Sequence, residues 1–268
     1  MSQVPSNPDY PPPAAYPEFN QGPPAQPAHL SPLQQPQTRP VVTYTLIGIN
    51  ILFFLLQALS QLLQGWDIVT DMGVKDNVLI VQGQYWRLIT PMFLHGSIIH
   101  LGFNLYALFI FGPGLERHFG RPRFIALYLL SGFAGNVMSF IFTSAPSLGS
   151  STAIFGLLGA EGVFLYRNRR IFGGSARRAL NNLILLAVIN LVFGLSSPGI
   201  DNWGHLGGLI GGTLFAWIGG PILAVKNDYP GLSVVDTRES RDALIAALID
   251  LIVFGGLAAM TIFMRGSG

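Results

Sequence analysis

Ser151 and His205 are the residues with which this sequence could do covalent chemistry. A serine hydroxyl is a weak nucleophile until an imidazole takes its proton, and the same imidazole can return that proton to a leaving amine. Acyl transfer also needs donors aimed at the oxyanion that develops on the attacked carbonyl, and in a water-poor site each can lower the barrier by about 3 kcal/mol. His100, Asn104 and the Ser151 backbone N–H can supply them, and the i, i+4 spacing of His100 and Asn104 puts both on one helical face. The one carboxylate near this level, Asp201, sits at the surface end of its segment, which favours a Ser–His dyad over a triad.

These residues lie in segments that must cross a membrane. Half of the 268 residues are hydrophobic, 10% are charged and mean hydropathy is +0.47, whereas a soluble domain is about one quarter charged. Crossing about 30 Å of hydrocarbon takes roughly 20 helical residues. Seven such stretches are predicted, at about 41–63, 98–115, 124–143, 151–166, 179–195, 203–218 and 243–264. Lys and Arg set the orientation. Twelve fall in the N-terminal tail and after spans two, four and six, against three (Lys75, Arg87, Arg265) on the other side. This predicts a cytoplasmic N-terminus. His100 lies sixteen residues above Glu116 and Ser151 sixteen above Arg167, each roughly 24 Å up at the helical rise. His205, fifteen residues before Gly220, is roughly 22 Å up, so all three share one level near the outer surface. Gly204, Gly208 and Gly212 repeat at i, i+4, as do Gly156 and Ala160, and small faces of this kind let helices four and six pack closely and bring His205 beside Ser151.

Residues 1–40 hold twelve of the nineteen prolines and are expected to form a disordered or polyproline-like cytoplasmic tail. The opening MSQVPSNPDY lacks the basic and apolar regions of a signal peptide. Residues 41–225 are expected to form the core, 226–242 a cytoplasmic linker, and 243–268 a seventh helix with a short outer tail. With no cysteine there is no thiolate nucleophile or thiolate metal site, and H-E-x-x-H is absent, so neither metal nor other cofactor is expected. The small net charge of +2, spread between apolar segments, argues against nucleic acid. No feature selects an oligomeric state.

Three separated motifs, in order, resemble the rhomboid family of intramembrane serine proteases. WRLITPMFLHGSIIHLGFNLYALFIFGPGLERHFG (86–120) is similar to the family's first-loop W-R, H-x-x-x-N and E-x-x-x-G; GSSTAIFGLLGA (149–160) resembles its G-x-S-G; DNWGHLGGLIGG (201–212) resembles its A-H-x-x-G-x-x-x-G. The resemblance covers about residues 41–225. It implies an all-α polytopic membrane protein with a six-helix core, here extended by one C-terminal transmembrane helix. It also implies a multi-pass protein of a bacterial cell (inner) membrane, Ser151 as nucleophile, His205 as base, and His100 with Asn104 in the oxyanion hole. The implied partners are single-pass transmembrane substrates, cut near the outer interface, and membrane lipid. Trp86 and Arg87 would belong to the first loop, and Glu116 with Gly120 to a structural turn. Thr152 replaces a frequent Gly and is expected to add bulk beside the oxyanion site; Phe155 replaces a frequent Tyr and can keep the stacking on His205 without the hydroxyl.

Other polar residues have plainer readings. His95 is read as structural or interfacial, His118 and His29 as solvated, and Glu161 and Asp250 as snorkelling or pairing with a neighbouring helix. A transporter would want polar groups through the whole bilayer depth or an inverted repeat, and neither occurs. The joint presence of Ser151, His205, His100 and Asn104 favours a protease over a silent relative that binds transmembrane clients.

Overall fold

The computed structural model describes residues 39–197, 199–228 and 231–267. Almost all of the proline-rich segment, and His29 with it, lies outside the described residues. The long helices are α1 (Val41–Gln64), α4 (Ile98–Phe119), α5 (Arg121–Phe142), α6 (Ser151–Arg167), α8 (Gly174–Ser196), α9 (Asn202–Gly219) and α10 (Ser240–Gly266). Short helices α2 (Ile68–Gly73), α3 (Asn77–Val81) and α7 (Arg169–Phe172) lie in the connections, as do two 3-10 turns, Tyr85–Leu88 and Thr90–Phe93. The chain is an all-α polytopic integral membrane protein.

Five helices, α1, α4, α5, α8 and α10, are long and apolar enough to cross a membrane by that measure, where seven spans were expected. The other two expected spans, α6 with 17 residues and α9 with 18, are short, and α9 is rich in glycine. Their position explains the difference. With α5 they form the centre of the bundle, where helices face protein and need small residues rather than lipid-facing apolar ones. Outer helices carry the opposite signature: Phe103 on α4 and Ile252 on α10 are each 72% exposed, and α8 is exposed along most of its length.

The α6/α9 contact is a backbone contact. A Cβ on Gly212 would overlap the Gly156 backbone, one on Gly208 would overlap the Thr152 carbonyl, and one on Gly159 would stand 2.7 Å from the Leu209 carbonyl oxygen. In lipid, where apolar faces gain nothing by leaving the solvent, such close van der Waals approach is a main source of helix association. Helix α10 packs on the far side of the same centre, with Ala243 and Ala246 against Gly219 and Phe254 near Gly211.

Helix ends are closed by recognisable devices. Gly65 terminates α1 in the left-handed region at φ 79°. Gly120, at φ 76°, turns the chain from α4 into α5. Glu116, 1% exposed, accepts from the Val42 and Thr43 amides at 2.9 and 2.8 Å and from the Thr43 hydroxyl at 2.8 Å. A carboxylate from α4 thereby satisfies the free N–H groups at the start of α1, where a negative group is favoured. The region expected as a linker over 226–242 contains instead much of an antiparallel hairpin, β1 (Leu223–Asp228) with β2 (Gly231–Asp236). Arg123 of α5 anchors it, pairing with Asp236 and donating to the Arg238 carbonyl at 2.9 Å.

Two polar residues depart from expectation. His118 is not solvated: its ring stacks on Phe164 at 4.4 Å, and both ring nitrogens are buried without a partner among the described residues. Asp250 neither snorkels nor pairs. It is 1% exposed, and neither carboxyl oxygen has a partner among the described residues. The reason is helical phase, since Asp250 shares a face with Ala246 and Phe254, the face that packs inward.

Two stability measurements check this packing. Gly212→Ala is expected to lower unfolding stability in detergent by about 1–3 kcal/mol through overpacking, while Gly255→Ala, where a Cβ meets nothing within 4 Å, does not lower it. Asp250→Asn removes no hydrogen bond and is expected to shift stability by less than about 1 kcal/mol; a larger loss would reveal a partner for the carboxyl.

Candidate active site

The Ser151 end of the bundle is where α4, α6 and α9 begin, so their free N–H groups converge there. Ser151 is the first residue of α6 and His205 the fourth of α9. Asp201 starts α9 by accepting from the Gly204 amide at 3.0 Å, and its own carbonyl accepts from the His205 amide at 3.1 Å. Three residues below His205, the Gly208 contact fixes how closely α9 lies on α6. The consequence is a 2.8 Å separation between His205 Nε2 and Ser151 Oγ.

Phe155, one turn below Ser151, stacks on the His205 ring with centroids 4.3 Å apart and planes 9° apart. The ring is thus held on one face by packing alone. His205 Nδ1 and Asp201 Oδ2 are both buried without a hydrogen-bond partner among the described residues, so no Asp201–His205 hydrogen bond orients the imidazole.

His100 lies on the approach to Ser151. Gly149 adopts φ 132°, and a Cβ there would come within 2.7 Å of His100 Nε2 and 3.5 Å of Ser151 Oγ. Only glycine leaves that space open. Asn104 is 5% exposed, and its Nδ2 donates to the His100 carbonyl of its own helix at 2.9 Å. That bond accounts for one of its two amide protons. Thr152 does not crowd the space beside Ser151: its side chain is buried and turned into the α5/α9 seam against Gly135 and Gly204. The bulk expected there fills helix packing instead.

Around this centre the first connection is stitched to the bundle. Arg87, 3% exposed, donates to the Val74 carbonyl at 2.9 Å and to Gln84 Oε1 at 2.7 Å, and Trp86 Nε1 donates to the Met72 carbonyl at 3.0 Å. Gln57 of α1 bonds both backbone groups of His95 at 3.1 Å. The His95 ring lies 3.3 Å from Ser150 Oγ and edge-on to His100, with centroids 5.2 Å apart. Gln57 escaped the sequence reading altogether, and Lys75 entered it only as a charge on the outer side. Lys75 is fully buried and donates to the carbonyls of Thr143 and Ala145, just before the segment that carries Ser151. Nothing in its sequence setting, a polar loop, distinguishes it from a solvated lysine. No group of three or more metal-ligating side chains occurs among the described residues.

The arrangement can lend a serine hydroxyl a proton acceptor and surround the attacked carbonyl with donors. Comparison with known proteins places the chain in a family. Residues 82–222 match a family described as the Rhomboid domain. The chain is 43% identical over 178 residues to Rhomboid protease GluP of Bacillus subtilis (strain 168), covering 66% of this chain and 34% of that protein. It is 42% identical over 149 residues to RHOMBOID-like protein 6, mitochondrial, of Arabidopsis thaliana, covering 55% and 48%. It is 35% identical over 184 residues to Putative rhomboid protease YdcA of Bacillus subtilis (strain 168), covering 67% and 88%. The chain spans about a third of the first relative's length and about half of the second's. A domain match over more than half the chain, together with a relative covered almost end to end, leaves one conclusion: the chain belongs to the rhomboid family.

Proposed function

We propose that this chain is an intramembrane serine endopeptidase that hydrolyses peptide bonds in or near transmembrane segments through a Ser151–His205 dyad. The 2.8 Å contact between Ser151 Oγ and His205 Nε2 carries the reading. Ser151 Oγ attacks the scissile carbonyl while His205 Nε2 takes its proton, and the resulting imidazolium protonates the leaving amine. A water then attacks the acyl-enzyme, again deprotonated by His205, and Ser151 regains its proton.

The oxyanion is met by the Ser151 backbone N–H, with the His100 ring and the second amide proton of Asn104 on the neighbouring helix. These donors act where the free N–H groups of α6 already favour negative charge. The stacking of Phe155 on the imidazole, and the absence of a carboxylate bonded to its Nδ1 among the described residues, support reading the site as a dyad rather than a triad.

The substrates are transmembrane segments of single-pass proteins, presented from the lipid and cut near the outer interface. The protein works in a bacterial cell (inner) membrane with its N-terminus cytoplasmic, in keeping with the twelve-to-three bias of Lys and Arg. It requires lipid surroundings but neither metal nor nucleic acid.

Purified chain incubated with a transmembrane substrate tests the proposal beside Ser151→Ala and His205→Ala. Each variant is expected to lose cleavage by roughly 10³-fold or more, with the fold retained. Equal cleavage by all three would sink the dyad, and cleavage by none of the three would sink the protease reading.

A further inference from the structure

We infer that Lys75 is a positioning residue for the proposed reaction, a buried clamp in the first connection that ties the backbone leading into Ser151 to the helix that carries His205. The inference rests on the protease reading above.

Lys75 has no exposed surface. Its Nζ donates to the Thr143 carbonyl at 2.9 Å and the Ala145 carbonyl at 2.7 Å, and its backbone forms a two-bond bridge with Ser147, N to O at 3.1 Å and O to N at 3.3 Å. All three partners lie on the connection between α5 and α6, which has no regular structure of its own. Two residues past Ser147 stands Gly149, held by its amide to the Pro91 carbonyl at 2.9 Å, and two further on is Ser151. Lys75 therefore fixes the strand of chain that delivers the nucleophile.

The same clamp reaches the base. Thr143, whose carbonyl Lys75 holds, donates its hydroxyl to Asp201 Oδ1 at 3.2 Å, and Asp201 caps α9 at the turn whose last residue is His205. Asp201 is also the largest charge acting favourably on Lys75. The other charged groups facing the ammonium are Asp76 beside it, which is favourable, and Arg265 at the end of α10, which is unfavourable. Arg265 is itself tied to the end of α5, donating to the Ile141 carbonyl at 3.0 Å.

Burial of an ammonium is costly, and a loop lysine free to reach water would avoid it. Burial pushes the Lys75 ammonium down to about 8. Raising the pH through that value removes the charge, and with it the attraction to Asp201, while a guanidinium at the same place would stay charged. This gives the clamp a signature that plain packing lacks.

The test uses the full chain in detergent with a transmembrane substrate, comparing wild type, Lys75→Met and Lys75→Arg for kcat and KM across pH 6 to 10, with thermal unfolding measured in parallel. Lys75→Met is expected to lower kcat by roughly tenfold or more with KM little changed, because displaced reacting groups lose rate rather than binding. Wild type is expected to lose kcat as the pH rises through about 8, and Lys75→Arg to keep the neutral-pH rate and move that limb upward. A folded Lys75→Met with wild-type kcat would overturn the inference, as would a change confined to KM. Should Lys75→Met not fold, the comparison of wild type with Lys75→Arg decides, and identical alkaline limbs overturn it. Wild type inactive at every pH would instead overturn the protease reading, and this inference with it.

Discussion

Helices α6 and α9 meet backbone to backbone, at Gly208 over Thr152 and Gly212 over Gly156, closer than any side chain would permit. Most of the site follows from that contact. Ser151 opens one helix and His205 lies within the first turn of the other, so the separation of the two helices sets the distance between hydroxyl and imidazole. In lipid this approach is held by van der Waals contact over small residues, and widening it by one methyl would separate the Ser151 hydroxyl from the His205 ring by more than a hydrogen bond tolerates. Helix α10 braces the opposite side of α9 through Gly219 and Gly211, so α9 is fixed from two directions.

Polar groups at the Ser151 end are arranged around that fixed seam. Three helices begin there, and their N-terminal ends favour negative charge where the proposed oxyanion would form. The connections are held by buried side-chain bonds to backbone, from Gln57, Lys75, Arg87 and Asn136, each of which spans different elements. Such bonds satisfy carbonyls that no regular element pairs, so the loops near the site are as constrained as the helices. By contrast α8 is exposed along most of its length and packs little on α9, leaving the lipid-facing side of the bundle least encumbered there.

The spans and the level of Ser151, His205 and His100 could be read from the sequence because both depend on long-range regularities: apolar runs, helical rise and i, i+4 glycine repeats. The two central helices marked the limit of the first rule, since a helix surrounded by protein replaces apolar bulk with glycine. Direction within a helix was harder. Thr152 turned into the seam, His118 under Phe164 and Asp250 inward on α10, and each depended on a neighbour far away in sequence. The β1/β2 hairpin was hidden by the shortness of its six-residue strands, and Lys75 by a loop setting in which most lysines are solvated. Membership of the rhomboid family rests on the motifs and the domain match together.

The most direct measurement is site-resolved labelling with a serine-directed phosphonylating probe, followed by peptide mass spectrometry on the folded chain and on His205→Ala. Modification is expected at Ser151 alone, at a rate that falls by roughly 10³-fold when the imidazole is removed. Modification of the neighbouring Ser150 in place of Ser151, or of Ser151 at an undiminished rate without His205, would contradict the proposed dyad.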